Sequence, residues 1–313
     1  MVPFIEAGEI ARLLPPGDAV DVVEAVLRGG LDPAAGVARA SVPLPAGELL
    51  LMPAWSASHA GVKLAAVAPG NAALGLPRIN AVYVLYDGVT LRPVAFLDGT
   101  ALTALRTPAV SVAAVRASLG ERPLRVVVFG AGPQGAGHIA ALGAVAELSR
   151  VDVVVRSPEA VHRGALPTSG GVPPSVLRAG SAGVAEALRG ADVVVCATTA
   201  RTPLFDSASL SGRVVVMAVG SHEPDAREVD AALCWRATVV VEDVTTALRE
   251  CGDVVLAIAE GALTPDRLVP MRAVVTGSAT VGDGPVLFKG SGMAWQDLAI
   301  AEAVLARSAT SRS

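Results

Sequence analysis

A glycine-rich turn, RVVVFGAGPQGAG, has the residue types and the spacing of a phosphate-binding loop. The apolar run Val126–Phe129 predicts a buried strand, and the alanine-rich segment Pro133–Leu148 predicts a helix after it. Between them, Gly130, Gly132 and Gly135 have G-x-G-x-x-G spacing. In this context the first glycine permits a tight turn, the second lets the backbone approach a pyrophosphate, and the third permits close packing of the helix. The pattern predicts a dinucleotide site at the helix N-terminus; the alternative is a tight turn without a ligand.

The strand VDVVV, which follows this helix, ends at Arg156 and indicates which dinucleotide is preferred. No acid stands at the first position after the strand, where a carboxylate would bind the ribose hydroxyls of NAD(H). Arg156 instead offers several hydrogen-bond donors to the 2′-phosphate of NADP(H). Ser157 and Pro158 are typical of a helix start. NADP(H) is therefore favoured over NAD(H), and Glu159 keeps NAD(H) open as the alternative.

Three cations in apolar surroundings are candidates for binding a small carboxylate. Lys63 lies in the apolar strand GVKLAAVAPGN, where a lysine is costly unless its charge is used or reaches solvent. Arg106 lies in LDGTALTALRTPAVS, just ahead of a run of small residues that predicts a helix, and Arg39 lies in VARASVPLP. The alternative for each is a surface charge whose stem lies on apolar neighbours. For Arg39 the pattern alone favours this alternative.

The elements that position the glycine turn predict an α/β domain over residues 120–291. Short valine-rich runs recur after the turn and indicate strands buried on both faces, as in a Rossmann-type doubly wound parallel sheet. These runs are Val151–Val155, Asp192–Cys196, Arg213–Val219 and Thr238–Glu242. The segment Leu166–Gly183 is rich in glycine, proline and serine and is predicted to be a loop within this domain.

Residues 1–119 have a different pattern, which predicts a substrate-binding α+β domain. Ile5–Leu14 and Ala19–Arg28 have the periodicity of amphipathic helices. Glycine, proline and asparagine turns then separate four predicted strands, at Leu49–Met52, Val62–Ala68, Ile79–Tyr86 and Val94–Leu97. A final helix, Gly292–Arg307, is predicted to return to this domain, which therefore includes residues 292–313.

Composition and charge exclude several classes of function. The chain has 313 residues, enough for two domains, and 52% of them are hydrophobic. A net charge of −4 disfavours nucleic acid and anionic membranes as partners. The mean hydropathy is +0.55, but the sequence lacks a long uncharged apolar run and a signal-peptide pattern at its start. Three cysteines without a C-x-x-C pair fit reduced thiols of a cytoplasmic protein, and the four histidines lack metal-ligand spacing, so we predict no metal site.

Five segments together resemble the ornithine cyclodeaminase/μ-crystallin family, and they occur in the family's order. They are GVKLAAVAPGN, LDGTALTALRTPAVS, FGAGPQGAGH, AVGSHEPDAREVD and LFKGSGMAWQDLAIAE. The resemblance extends from about Arg39 to Leu305. It implies a homodimer in which an N-terminal domain binds the substrate and forms the dimer, while a Rossmann domain binds a nicotinamide cofactor. It further implies a reaction at the α-carbon of an amino or imino acid.

The resemblance also assigns roles to residues that match the family's motifs. By position, Arg39, Lys63 and Arg106 match the contacts to the substrate carboxylate. The residues that match contacts to the cofactor are Gly132, Pro133 and Gln134 in the pyrophosphate turn, Thr198 and Thr199 in a nucleotide loop, Val219, Gly220 and Ser221 at a strand end near the nicotinamide, and Gly290 and Ser291 in a turn over its ring. Ser291 is also predicted to contact the substrate.

His222 departs from the family pattern. The cyclodeaminases have an acidic catalytic residue two positions after the glycine of the segment GSHEPDAREVD, whereas this chain has histidine there. A histidine titrates near neutral pH and can act as a general acid or base. The alternative is a structural histidine that caps the turn before Pro224.

Together, Arg156 and His222 shift the prediction from a cyclodeaminase to an NADPH-dependent reductase. Its expected substrate is a small cyclic imino acid, such as pyrroline-2-carboxylate or piperideine-2-carboxylate, held by Arg106 and Lys63 and protonated by His222. Three alternatives stay open: a redox-neutral ornithine cyclodeaminase, an amino-acid dehydrogenase, and a non-catalytic protein that binds NADPH or another ligand.

Overall fold

The computed structural model describes residues 2–162, 164 and 166–310. The chain forms two compact units. The first consists of Met1–Thr107 and Met293–Ser313, and the second of Pro108–Gly292. The predicted C-terminal segment ends in residues 311–313, which lie outside the described residues.

The elements follow one another in this order: β1 (Phe4–Ile5), α1 (Ala7–Leu13), α2 (Pro16–Arg28), β2 (Ala40–Leu44), β3 (Gly47–Trp55), β4 (His59–Val67), β5 (Ile79–Asp87), β6 (Pro93–Asp98), α3 (Gly99–Val115), β7 (Leu124–Phe129), α4 (Pro133–Val145), β8 (Leu148–Val155), β9 (Ser175–Arg178), α5 (Ala182–Arg189), β10 (Val193–Cys196), β11 (Val215–Ala218), α6 (Ala231–Arg236), β12 (Thr238–Val241), α7 (Val244–Glu250), α8 (Gly252–Ala259), β13 (Leu268–Pro270), α9 (Met271–Val275), β14 (Val286–Lys289) and α10 (Ala294–Thr310).

The first unit has a six-stranded sheet in the order β1-β6-β5-β4-β3-β2. β1 runs parallel to β6, and the other neighbouring strands are antiparallel. α10 packs on β3, β4 and α2. Along β4 burial alternates, so that Lys63 shares the more buried side with Gly61, Ala65 and Val67. The four predicted strands and the C-terminal helix are present, whereas β1 and β2 were not predicted.

The second unit has an eight-stranded, wholly parallel sheet in the order β13-β12-β14-β11-β10-β7-β8-β9. The valines of its central strands are almost fully buried, as expected for strands covered on both faces. The strand order reverses at β7, whose neighbours are β8 and β10. In doubly wound sheets a ligand binds outside the carboxyl ends of the strands at such a reversal, so the predicted Rossmann class is confirmed.

Three local predictions need correction. The predicted loop Leu166–Gly183 contains β9, a four-residue edge strand that pairs with β8; its flanking prolines and serines gave the loop signal. The last strand, β14, lies between β11 and β12, whereas the sequence pattern predicts no strand there. Arg106 lies inside α3 and not ahead of it, because this helix already begins at Gly99 and continues through Pro108.

The boundary between the units falls at Thr107 and Pro108, whereas the sequence pattern placed it after residue 119. The second half of α3 belongs to the second unit. There the Ser111 hydroxyl hydrogen-bonds to His138 of α4 at 3.0 Å. Among the described residues, helices with the length and apolarity needed to cross a membrane are absent.

Candidate active site

The glycine turn between β7 and α4 has the geometry of a dinucleotide cradle. Gly130 has φ +105°, and a side chain there would meet the Ala197 carbonyl oxygen at 2.5 Å. A side chain at Gly135 would overlap the Gly130 carbonyl, so this glycine permits the close packing of α4. At Gly132 a side chain would have open space within 4 Å, so the backbone there is accessible to a ligand. Each predicted glycine thus has the local geometry that a pyrophosphate site needs.

The first turn of α4 lacks a side-chain cap at its N-cap residue. Gly132 occupies the N-cap position and Pro133 follows at the first helical position, so the cap has no side-chain hydrogen bond. The Gln134 carbonyl accepts a hydrogen bond from His138 Nδ1 at 2.7 Å. Burial lowers the pKa of His138 to about 4, so its ring is neutral at physiological pH. The turn therefore keeps the positive end of the helix dipole without a neighbouring charge from His138.

Arg156 lies exposed directly after β8, at the predicted adenosine end of the cradle. Its carbonyl accepts a hydrogen bond from Arg178 Nη1 at 2.9 Å, and Arg178 Nη2 lies 2.9 Å from Glu159 Oε2. Ser157 takes the N-cap position of a short 3-10 turn but makes no capping hydrogen bond, which corrects the prediction that it caps a helix. Arg178, at the end of β9, is a candidate site residue that the sequence pattern does not indicate, because the composition around this strand is typical of a loop.

The predicted nucleotide loops after β10 and β11 are held together by one buried carboxylate. Glu228 Oε1 accepts the amide and the hydroxyl of Thr198, each at 2.8 Å, and Oε2 accepts the amide of Gly220 at 2.7 Å. Glu228 is fully buried, and burial raises the pKa of its carboxyl group while Lys289 and the bonds from Thr198 oppose the rise. Thr199 and Val219 lie beside these bonded positions.

A buried aspartate and a buried lysine extend this arrangement. Asp253 Oδ1 accepts the amides of Glu228 and Val229 at 2.7 and 2.9 Å. Lys289 Nζ lies 3.1 Å from Asp253 Oδ2 and donates to the Ser221 carbonyl at 2.6 Å. Burial opposes the charge of Lys289, but Asp253, Cys251 and Glu228 hold its pKa above the ordinary value. Lys289 is therefore charged and ties β14 to the turn after β11.

Glu242, at the end of β12, fixes the turn after β14. Its Oε2 accepts the amides of Ser291 and Gly292, each at 2.9 Å. Gly290 is buried directly before them. Because the sheet is parallel, the predicted cofactor residues after β7, β10, β11 and β14 all lie at the carboxyl ends of its strands.

In the first unit, Lys63 and Arg106 meet around the carboxylate of Asp297. Lys63 Nζ lies 3.0 and 2.8 Å from the two Asp297 oxygens, and 3.2 Å from Thr103 Oγ1. Arg106 Nη1 donates to Gln296 Oε1 at 2.7 Å, and its Nε lies 3.6 Å from Asp297 Oδ1. Lys63 is 2% exposed, Arg106 7% and Asp297 0%. These three side chains form a buried group, here called the cation cluster.

The cation cluster carries one net positive charge in a water-poor environment. Burial lowers the pKa of Lys63 to about 8; Asp297 opposes this, whereas Arg106 and Arg39 lower it further. Arg39, half-buried before β2, thus lies within electrostatic range of Lys63. Arg106 Nε has no hydrogen-bond partner among the described residues. A buried guanidinium with an unpaired donor suits an anionic ligand such as a carboxylate.

The sequence matches a known family over nearly its whole length. The sequence model of the ornithine cyclodeaminase/mu-crystallin family matches residues 18–312. The chain belongs to this family. It is 34% identical over 300 residues to the Delta(1)-pyrroline-2-carboxylate/Delta(1)-piperideine-2-carboxylate reductase of Azospirillum brasilense, covering 95% of this chain and 93% of that protein.

Solved structures show the same fold. The Thermococcus litoralis Delta(1)-pyrroline-2-carboxylate reductase in complex with NADH and L-proline has a TM-score of 0.88 at 24% identity, covering 99% of this chain and 98% of that one. The iminosuccinate reductase of Paracoccus denitrificans in complex with NAD+ has a TM-score of 0.83 at 26% identity, covering 98% and 96%. The similarity to family structures thus extends over both compact units of this chain.

Within this family member, His222 lies half-buried in the turn after β11. Its neighbours are Ser221, whose carbonyl accepts the Lys289 bond, and Glu223, which forms an exposed ion pair with Arg201. The position is held by a well-bonded turn at the carboxyl end of the sheet. Its role as a proton donor stays a prediction.

The sequence patterns identified the cations, but they did not identify the buried polar residues that hold these cations and the strand-end loops. The missed residues share nearly complete burial and a polar side chain in an apolar context: Glu228, Glu242, Asp253, Gln296 and Asp297. Each of these residues lies in an apolar segment, which indicates that it has a buried partner, because charged and amide side chains are seldom buried unless they are paired. Their partners could not be named without the fold.

Proposed function

We propose that this chain is an NADPH-dependent reductase of small cyclic α-imino acids, which it converts to L-amino acids. The observation that carries the proposal is the cation cluster, a buried site with one net positive charge that suits a monocarboxylate. The Azospirillum brasilense relative, named for pyrroline-2-carboxylate and piperideine-2-carboxylate, supports the choice of substrate class. Either compound places the reacting carbon next to the carboxylate.

The second unit supplies the residues that would hold the cofactor. The backbone at Gly130, Gly132 and Gly135 fits the pyrophosphate, and the turn at Gly290 and Ser291 is predicted to lie over the nicotinamide ring. When bound, the reduced nicotinamide supplies a hydride. NAD+ in the Paracoccus denitrificans structure supports a nicotinamide dinucleotide.

The preference for NADPH is supported by the adenosine end of the cradle. Arg156 and Arg178 place two guanidinium groups at the ends of β8 and β9. Glu159, the acid that could favour NAD(H), lies 2.9 Å from Arg178. Arg156, Arg178 and Glu159 together carry one net positive charge, which favours a 2′-phosphate.

In this proposal, side chains of the protein bind the substrate carboxylate, and one of them protonates the ring nitrogen. Arg106 and Lys63 bind its carboxylate, Arg39 adds a long-range attraction, and a ring nitrogen protonated to an iminium makes the adjacent carbon electrophilic. His222 is our candidate for delivering that proton, because its turn lies at the predicted nicotinamide end of the sheet. Fixing the carboxylate limits the rotation of the ring and presents one face of the carbon.

The test is reduction of pyrroline-2-carboxylate and piperideine-2-carboxylate with NADPH and with NADH, followed by the loss of the near-ultraviolet absorbance of the reduced nicotinamide. We expect turnover of at least one imino acid and a higher kcat/KM with NADPH. Failure to turn over either imino acid with either cofactor would refute the proposal. Release of ammonia from ornithine without net cofactor reduction would instead identify a cyclodeaminase, the activity that His222 makes less favourable.

A homodimer is part of the proposal. β2 forms one edge of the sheet of the first unit, and all five of its residues are exposed. Three large apolar residues are exposed here: Val42 on β2 is 44% exposed, Leu44 on β2 is 47% exposed and Trp55 on β3 is 59% exposed. Exposed apolar patches of this kind favour association. Sedimentation-velocity ultracentrifugation should give the mass of a dimer, and a monomer at micromolar concentration would contradict the assembly.

A further inference from the structure

α10 places two consecutive polar residues in a completely buried position. Gln296 and Asp297 are both 0% exposed, in a helix whose inner side is otherwise largely apolar and packs on β3 and β4. Burying an amide and a carboxylate is unfavourable unless each is hydrogen-bonded or paired. Apolar residues would cover the sheet equally well, so packing does not explain this pair.

The two residues engage the two cations of the predicted carboxylate site. Successive positions on a helix differ in direction by about 100°, so neighbours can face different elements. Asp297 binds Lys63 of β4 through both oxygens, at 3.0 and 2.8 Å. Gln296 accepts from Arg106 of α3 at 2.7 Å. One turn of α10 thereby sets the positions of both cations.

The charges around Lys63 show what Asp297 contributes. The Lys63 ammonium interacts with Arg106 from α3 and Arg39 from the segment before β2, and both disfavour its charge. Tyr83, its register partner on β5, is buried and neutral, because burial and the negative charges of Asp297 and Glu302 raise its pKa well above the ordinary value. Of the charged groups that act on Lys63 among the described residues, Asp297 is the one that favours the ammonium form.

We propose that Asp297 is a positioning residue for substrate binding: it keeps Lys63 charged and fixed, and it leaves the cation cluster with the single positive charge that a monocarboxylate neutralises. This inference rests on the proposed function. If Asp297 acts through Lys63, its replacement should weaken substrate binding, and this effect should depend on the presence of Lys63. Thr103 completes the arrangement by accepting a third contact from the Lys63 ammonium at 3.2 Å.

The experiment compares Asp297→Asn with Glu302→Gln. Both variants change a carboxylate of α10 to the matching amide, but Glu302 pairs with His59 and Ser56 at a partly buried position away from Lys63 and Arg106. For D297N we expect KM for the imino acid to rise roughly 10- to 100-fold near neutral pH, the loss typical of a charged hydrogen bond, with KM for NADPH unchanged. For E302Q we expect both values to stay near wild type.

The pH profile separates positioning from a structural effect. Lys63 binds a carboxylate while it is protonated, so binding weakens as pH rises through its pKa, which is about 8 in the wild type. Removing the negative charge of Asp297 lowers this pKa further, because burial and the neighbouring arginines then act unopposed. In D297N the rise of KM should therefore begin at a lower pH than in wild type. An unshifted profile overturns the inference.

A double-mutant cycle with Lys63 separates an effect of D297N on the structure from its effect on substrate binding. Lys63→Met with D297N removes one positive and one negative charge, so the net charge of the cation cluster stays at +1, carried by Arg106. If Asp297 acts through Lys63, most of the effect of D297N disappears in the K63M background. An equal rise of KM in both backgrounds shows that Asp297 acts independently and overturns the inference.

Titration calorimetry with L-proline distinguishes the two possible failures. L-Proline is the product expected from pyrroline-2-carboxylate, and its binding does not require turnover. If the wild type binds L-proline but reduces neither imino acid, the proposed function fails, while the D297N comparison of proline affinity still tests the inference. If the wild type binds neither L-proline nor an imino acid, both are overturned.

Discussion

Replacing Glu228 by glutamine should loosen the loops that follow β10 and β11. The buried carboxylate accepts two bonds from Thr198 at 2.8 Å and one from Gly220 at 2.7 Å. A glutamine keeps one acceptor oxygen and turns an NH2 group toward a donor, so one bond is lost and one buried N–H is left without a partner. Hydrogen bonds to charged groups contribute about 1.5–3 kcal/mol, and an unsatisfied buried donor costs about 1–3 kcal/mol. Part of this is offset because the neutral amide is less costly to bury, so we expect a loss of about 3 kcal/mol in the free energy of unfolding.

A loss of this size is measurable as a change in Tm. For a domain the size of the second unit, each kcal/mol lowers Tm by about 2–4 °C, so E228Q should melt about 10 °C below wild type. Scanning fluorimetry measures this without ligand. The enhancement of NADPH fluorescence on binding gives the cofactor Kd, which should also rise, because both loops are predicted to contact the nucleotide.

Glu223→Gln is the matched control. Glu223 belongs to the same segment, but its carboxylate is exposed and pairs with Arg201, an interaction that water screens. We expect little change in its Tm or Kd. If E228Q melts and binds NADPH like E223Q, then the carboxylate of Glu228 does not hold these loops, and the reasoning from its three hydrogen bonds is refuted.

Three further predictions follow from the two sites. Gly132→Ala should raise the Kd for NADPH roughly 10- to 100-fold with little change in Tm, because a side chain there has open space but would stand where the pyrophosphate approaches. Gly135→Ala should instead lower Tm, since its side chain would overlap the Gly130 carbonyl. An equal Tm for the two variants would contradict this prediction. Arg156→Ala should raise KM for NADPH roughly 10- to 100-fold and leave KM for NADH unchanged in steady-state assays, and a parallel rise of both would show that Arg156 does not select the phosphate. In wild type, KM for the imino acid should be constant below about pH 8 and rise above it, as Lys63 loses its proton, which initial rates across pH will test.

The local parts of this molecule were predictable from its sequence. The glycine turn is encoded within a few residues, because positive φ at Gly130 and close packing at Gly135 leave only glycine as a choice. The buried strands β8, β10, β11 and β12 were visible as valine runs. Lys63 could be singled out because a lysine within an apolar strand demands a reason.

The missing parts depend on contacts between distant residues. Lys63 and Asp297 are 234 positions apart, and Arg106 and Gln296 are 190 apart, so spacing carries no signal for either pair. An acid in an apolar helix shows that a partner exists without showing which one. β9 was missed for a different reason, because a short edge strand with proline and serine nearby has the composition of a loop.

The first unit is built from two segments that the whole second unit separates in the chain. During synthesis the Lys63 strand leaves the ribosome long before α10, so its ammonium lacks the Asp297 carboxylate until almost all of the protein has been made. The second unit comes from one continuous segment and can mature earlier, since domains fold as units while the nascent chain emerges. The N-terminal segment therefore cannot complete the first unit until α10 has been synthesised. During this interval the segment is most accessible to chaperones and proteases.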